Sequence, residues 1–186
     1  MKPNEPPFQK LETHFSGLIL LQPRIFKDHR GSFIKSFHET DFRALGITFT
    51  LREEFYSTSA KNVLRGMHFQ VPPAAHAKLV YCLQGRVLDV VLDLRRSSPR
   101  FGQSFGCELD SVKRQILFIP RGFAHGFLSL EDDSLMVYKT DHIHAPEQDQ
   151  GIAWNSFGFQ WPLDQPPTIS ERDRQFPPWA DFQSPF

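Results

Sequence analysis

An excess of charge of either sign is missing from this chain: 21 Lys and Arg balance 21 Asp and Glu, so the formal net charge is zero. Without a broad positive field it offers no general surface for nucleic acid, and an anionic ligand has to be held by a local cluster. Cysteine is nearly absent. Cys82 and Cys107 stand singly in apolar segments with no paired spacing, which argues against a disulfide framework or a Cys-based metal site and suits free thiols in a reducing compartment. The leading MKPNEPPFQK lacks an apolar signal-like stretch, and no run is long enough to span a bilayer. No repeat, linker or low-complexity block divides the chain. The expectation is a cytoplasmic protein with no membrane or nucleic-acid partner, organised as one domain over residues 1–186 with ample length for a core.

What is abundant is aromatic: 13% of the residues, 19 of them Phe. Residues 1 to 14 read as a polar, proline-bearing lead-in, followed by the strand-like GLILLQPRIF. KDHRGSFIKSF reads as a turn closed by Gly31 and an alternating strand, and ETDFRALG at 39–46 as a short helix stopped by Gly46. Strand patterns then recur at 48–58, 62–70, 77–84, 86–94, 103–109, 114–119, 125–130 and 134–141, parted by Pro, Gly and Asp turns. Many short strands at nearly even spacing predict an all-β antiparallel sandwich or jelly-roll barrel with short helices. The last forty or so residues lose the rhythm and fill with Pro, Trp and Phe, which predicts an irregular tail packed on the barrel.

The stretch VLRGMHFQ at 63–70 places a base near a cation inside an apolar run. Strict alternation puts Val63, Arg65 and Met67 on one face and Leu64, Gly66, His68 and Gln70 on the other, with Gly66 leaving room beside His68. A histidine so placed is suited to proton transfer on an anionic molecule, although a lone histidine also fits a satisfied core position. Further on, IPRGFAHGF at 119–127 has the spacing of the second half of a cupin signature, in which Pro and Gly shape a turn and the histidine, here His125, enters a barrel. The first half in metal-binding cupins carries a His-x-His pair. Here His68 is followed by Phe69, His76 lies eight residues on, and the only such pair is His142 and His144 in a late loop. An open three-ligand site is not assembled, so the barrel is read as free of metal and of any cofactor.

Taken in order, DHRGSF, VLRGMHFQVPP, KLVYCLQGRVLDVVLDLRRSSPRFG, IPRGFAHGF, VYKT, APEQDQGIAWN and ISERDR closely resemble the RmlC-type sugar-nucleotide 3,5-epimerases, over about residues 22 to 174. The resemblance implies a cupin-type barrel, a nucleotide-sugar substrate and a homodimer in which an N-terminal segment reaches the partner, with the GLILL run as the candidate segment. It implies that His68 is the general base, Asp173 its partner, Tyr138 the proton donor on the other face of the ring and Lys78 the group near the sugar carbonyl. It further implies substrate contacts from Arg30, Arg65, Arg172 and His125.

The chemistry independently needs these types. Protons at C3 and C5 of a 4-keto sugar are acidified by the carbonyl, yet their removal requires a base near neutral pKa, held in one tautomer by a carboxylate. Charge then gathers on the C4 oxygen, where an ammonium in a water-poor pocket stabilises it. Inversion finally requires an acid on the opposite face.

The chain departs from the family pattern at the recognition end. Lys35 stands where a glutamate is usual, Glu53 to Ser57 (EEFYS) replaces an amide-bearing segment and so brings in Glu53 and Phe55, His144 takes the place of an aromatic that stacks on thymine, and Asp149 replaces a glutamate. Lys35 and Glu53 could instead form a compensating pair. The leading expectation is an epimerase of a nucleoside-diphosphate 4-keto-6-deoxysugar, most simply dTDP-linked. Alternatives are another nucleotide, inversion at C3 only, or a non-catalytic sugar-nucleotide-binding module, which would have no need of a base and an opposing acid together. A metal-dependent cupin oxygenase is disfavoured by the missing His-x-His.

Overall fold

The structure is a computed structural model and describes residues 6–186. In chain order its strands and helices are β1 (Phe8–Leu11), β2 (Ile19–Pro23), β3 (Ile25–Asp28), β4 (Gly31–Ile34), α1 (Glu39–Ala44), β5 (Glu53–Ser59), β6 (Leu64–Gln70), β7 (Lys78–Gln84), β8 (Arg86–Asp93), β9 (Ser104–Asp110), β10 (Ile116–Ile119), β11 (Phe123–Ser129), β12 (Ser134–Thr140), β13 (Asp149–Gly151) and α2 (Glu171–Arg174). Two sheets face each other, one in the order β1-β2-β10-β7-β12-β5 and one in the order β13-β6-β11-β8-β9, while β3 and β4 form a separate hairpin. Every strand pairing in these sheets is antiparallel. The chain is therefore an all-β jelly roll with short helices.

Alternation builds the core between the sheets. Val80 and Cys82 of β7, Val87 and Val91 of β8, Phe123 and Phe127 of β11 and Met136 and Tyr138 of β12 point inward and are buried together. Each such side chain contributes about 1.5–3 kcal/mol by leaving water. All seven residues of β11 are buried, because its outward residue Ala124 is covered along with Phe69 and Leu92 by tail residues that include Phe182 and Phe186. On the outer face of the six-stranded sheet, Ile19, Leu21, Leu79 and Phe118 are covered by Phe42 of α1 together with Ile47 and Phe49. The two covering layers leave one end of the barrel open.

Three expectations are corrected here. The lead-in is not loose throughout: Phe8–Leu11 pairs with β2 as an edge strand, and Phe8 packs edge-on against Phe42 at 4.9 Å between ring centroids. Its apolar signal is only one buried aromatic, so the pairing is supplied by β2. Residues 1–5 of the lead-in lie outside the described residues. The GLILL run is not an exposed exchange segment, because Leu18, Ile19, Leu20 and Leu21 are buried and β2 lies between β1 and β10. The strand expected from residue 48 begins at Glu53, since Phe49 is drawn out of the ladder to pack against Phe118. Among the described residues no helix is long and apolar enough to cross a membrane.

Candidate active site

A cleft of about 300 Å³ opens at the barrel mouth, with His68 from β6, Lys78 from β7, His125 from β11 and Tyr138 from β12 in its walls. His68 and His125 belong to one sheet and Lys78 and Tyr138 to the other. The base candidate and the acid candidate therefore face each other across the cleft.

A bulge in β6 shapes the near wall. Opposite β11 the register runs His125 to His68 and then Phe127 to Arg65, so Gly66 and Met67 together face the single residue Gly126. The extra residue shifts the alternation by one, and Arg65 comes to the same cleft as His68, contrary to the strict alternation expected of VLRGMHFQ. Gly66 does not open a gap beside His68. It allows close approach, since at φ +132° any Cβ would sit 2.5 Å from the Cα of Gly126. Its freed N–H donates to Oδ2 of Asp173 at 3.0 Å.

The other oxygen of Asp173, Oδ1, lies 2.9 Å from Nε2 of His68. Burial works to raise the Asp173 pKa, but the hydrogen bonds from His68, Gly66 and Ser170 outweigh it and hold the carboxyl below its ordinary value. An ionised carboxylate only accepts, so His68 carries its proton on Nε2 and leaves Nδ1 as the basic atom. The ring is held edge-on by Phe176 at 5.5 Å. Asp173 owes its position to α2, which is capped by Ser170 through the Asp173 N–H.

Lys78 donates to the His68 carbonyl at 3.2 Å. Burial pushes its pKa down to about 8 against the opposing charges of Asp149 and Asp89. Tyr138 lies parallel to Phe55 at 4.8 Å, and its hydroxyl is 3.2 Å from Oγ of Ser57. Burial raises its pKa in spite of that hydrogen bond, so the phenol stays protonated at neutral pH. His125 is sealed in the wall, with Nε2 2.8 Å from Oδ2 of Asp89. Burial lowers its pKa, with Asp89 opposing.

At the mouth, Asp149 binds Arg172 at 2.7 Å and Nε2 of His144 at 3.0 Å, and Glu53 accepts the His144 backbone N–H at 2.7 Å. Arg65 donates to Ser59 and to the Thr58 carbonyl. Glu53, Phe55, Arg65, His144, Asp149 and Arg172 all line the cleft. Arg30 and Lys35 do not: Arg30 sits on the β3–β4 turn in an exposed ion pair with Asp28 at 2.6 Å, and Glu53 pairs with the His144 backbone rather than with Lys35. Alternation cannot report that a hairpin stands away from the barrel.

Sequence reasoning missed Ser57, Gln70, His76 and Asp89. Register carried the signal for two of them: Asp89 shares its face with inward Val87 and Val91, and His76 precedes Lys78 by two residues. Among the described residues no three His, Cys, Asp or Glu side chains are grouped to hold a metal ion.

Comparisons with known proteins bear on the family and the fold. The sequence profile of dTDP-4-dehydrorhamnose 3,5-epimerases matches residues 12–181. A dTDP-4-dehydrorhamnose 3,5-epimerase of Pseudomonas aeruginosa is 42% identical over 88% of this chain and 92% of its own length. The crystal structure of an epimerase from Legionella pneumophila, in complex with dTDP-4-keto-L-rhamnose, superposes with a TM-score of 0.90 at 33% identity, covering 95% of each chain. A 3'-monoepimerase from Streptomyces bikiniensis, in complex with dTDP-quinovose, superposes with a TM-score of 0.85 at 32% identity, over 89% of this chain and 85% of the other. With a matching profile over most of its length and relatives near 40% identity, the chain belongs to the dTDP-4-dehydrorhamnose 3,5-epimerase family.

Proposed function

We propose that this epimerase inverts C3 and C5 of a dTDP-linked 4-keto-6-deoxysugar with His68 as base and Tyr138 as acid, and the observation that carries the reading is their placement on opposite sheets of one cleft. Nδ1 of His68 takes the proton beside the carbonyl. The electron pair of the broken C–H bond moves into a C=C bond, and the C4 oxygen becomes the anion. Lys78, half-buried and cationic below about pH 8, stabilises that oxygen. Tyr138 returns a proton from the other face, which inverts the centre. Even with its pKa raised by burial, the phenol is a far stronger acid than the carbon it protonates.

Asp173 fixes the tautomer, and Arg65 and Arg172 supply the local positive charge that a nucleotide diphosphate requires in a chain of zero net charge. Incubation with dTDP-4-dehydro-6-deoxyglucose in deuterium oxide tests the reading: deuterium should enter at C3 and C5. No incorporation would sink it. The likeness to a 3'-monoepimerase supports a second reading, inversion at C3 alone, for which deuterium would enter at C3 only.

The working unit is a homodimer in this proposal. Among the described residues the β3–β4 hairpin pairs only with itself, and it holds Phe33 at 61% exposure. Its Arg30, with Lys35 just beyond it, are the two expected site residues that their own cleft lacks. This hairpin, rather than GLILL, is the segment that would reach a partner's cleft. Mixing inactive Arg30→Ala with inactive His68→Ala should restore activity through mixed dimers, whose one cleft is then complete; no restoration would oppose the exchange. The free thiols Cys82 and Cys107 suit a cytoplasmic enzyme.

A further inference from the structure

The cleft wall contains one more polar group, and its protonation is set by its surroundings. Gln70 ends β6 and is 3% exposed. Its Oε1 accepts the backbone N–H of Ala145 at 2.6 Å, a bond only an oxygen can accept, so chemistry dictates which way the amide faces. Nε2 then donates to the Ala74 carbonyl and to Nδ1 of His76, both at 2.9 Å, with the Ile143 carbonyl farther off at 3.3 Å. Nδ1 of His76 meets a donor and must offer a lone pair. The neutral ring therefore carries its proton on Nε2.

Protonation of the second nitrogen is opposed. Burial first, and then the Lys78 ammonium, push the His76 pKa down to about 3 against a weaker pull from the Ala74 carbonyl. His76 lines the cleft, and Nδ1 is the ring nitrogen that meets Gln70. Lys78 follows two residues later, the interval that places side chains on one face of an extended chain, and it lines the same cleft. A neutral N–H thus shares the cleft with the half-buried Lys78 ammonium.

We propose that His76 donates its Nε2–H to the sugar oxygen that becomes anionic on enolisation, forming a two-donor clamp with Lys78, and that Gln70 is the positioning residue that sets the His76 tautomer. The assignment rests on the enolising function above. An anionic oxygen suits this pair better than a diphosphate does. The diphosphate carries more charge and is met by Arg65 and Arg172, whereas a second cation beside Lys78 would drive its ammonium toward deprotonation. A neutral donor adds direction without that penalty. It is oriented before the reaction begins, which is what makes a donor effective toward charge that appears only in the transition state. No proton leaves His76: the substrate C–H proton goes to His68, and the clamp only receives the charge left on oxygen.

Two readouts test this. In histidine-¹⁵N-labelled protein, His76 should show a bare Nδ1 and a protonated Nε2, unchanged from pH 5.5 to 8; the opposite tautomer, or titration within that range, would overturn the assignment. With the dTDP-4-keto sugar in deuterium oxide, His76→Leu should lose about 10²-fold in kcat for exchange with KM within about twofold. His76→Gln, which still presents an N–H, should recover most of the loss. Native exchange in His76→Leu, or a loss confined to KM, would overturn the clamp. Gln70→Glu sets a carboxylate oxygen against Nδ1, so the proton should move to Nδ1 and kcat should fall as in His76→Leu; a reversed tautomer with native kcat would overturn the role of Gln70. Should Gln70→Glu fail to fold, the two His76 variants and the ¹⁵N pattern still decide. A native protein without any exchange refutes the enolising function, whereas exchange indifferent to His76 refutes the clamp alone.

Discussion

The barrel holds two histidine–carboxylate pairs of the same composition in opposite circumstances. His68 meets Asp173 at 2.9 Å with 31% of its side chain exposed to the cleft, while His125 meets Asp89 at 2.8 Å with 3% exposed. Asp173 arrives from α2, more than a hundred residues away, and is braced a second time by the Gly66 N–H. Asp89 lies on the strand next to His125, and its second oxygen, Oδ1, is buried with no hydrogen-bond partner among the described residues. The same two residue types thus serve different ends. A pair open to a ligand can move a proton, whereas a sealed pair with an unsatisfied carboxylate holds a wall and is costly to break.

The largest expected effect lies in the open pair. His68→Ala should lose roughly 10²- to 10⁴-fold in deuterium exchange, and Asp173→Asn should come close to it because the amide no longer enforces Nε2–H. Thermal melting should change little by comparison, since Asp173 keeps the Gly66 N–H and adjoins solvent through the vacated ring site. Residual exchange within tenfold of native in His68→Ala would place the base elsewhere.

The sealed pair should show the reverse balance. His125→Ala strands the Asp89 carboxylate with both oxygens unpaired in the core, a loss of about 3–5 kcal/mol that calorimetric or denaturant unfolding would read. Equal loss of stability in His68→Ala and His125→Ala would erase the distinction between the pairs.

These two pairs also mark how far the sequence could be read. Alternation and turn residues located β6, β7, β11 and β12, hence the strands bearing His68, Lys78, His125 and Tyr138. Asp173 came only through resemblance to known epimerases, because no local pattern links a residue on a four-residue helix to a strand so distant. Asp89 was readable in principle, as a charge on the inward face of VLDVVLD, but an inward aspartate has meaning only once its partner strand is known. The bulge at Gly66 and Met67 was not readable, since it depends on Gly126 admitting a second backbone at close range. Arg30 and Lys35 fell outside their own cleft because alternation does not report that the β3–β4 hairpin stands apart from the two main sheets.

Across the cleft from both pairs, Tyr138→Phe should separate exchange from inversion. His68 can still remove and return a proton on its own face, so isotope enters, while epimerised product falls roughly 10²-fold. Product formed at the native rate would make Tyr138 a wall residue held by Phe55.

Lys78 gives a pH test in which two observables move oppositely. Its pKa is depressed from the ordinary 10.5 to about 8. Between those values the unfolded chain binds the proton that the folded chain has released, so this group's contribution to stability rises with pH across the interval. Activity that needs the ammonium falls over the same interval, nearly tenfold per pH unit once above 8. A rate flat to pH 10 would mean that Lys78 does not stabilise charge on the substrate.

The smallest effects belong to the mouth, where neither histidine pair reaches. His144 replaces an aromatic that the family resemblance assigns to base stacking, but here it is tied down: its ring binds Asp149, which also holds Arg172, and its backbone N–H binds Glu53. A ring committed to a carboxylate stacks less freely, and an imidazole presents less area than a phenol, each difference worth ~1 kcal/mol or less. Glu53→Gln alone should do little, because its Oε1 can still accept the His144 N–H. His144→Tyr releases Asp149 to Arg172 and restores a larger ring, so with Glu53→Gln it should tighten plain dTDP by up to about tenfold, as read by calorimetry beside CDP and GDP. Because this change acts on the base and not on the sugar, the exchange rate at saturating substrate should stay at its native value. Unchanged dTDP affinity in the double variant would show that the loop ring of His144, Asp149, Arg172 and Glu53 already grips thymine in its own way.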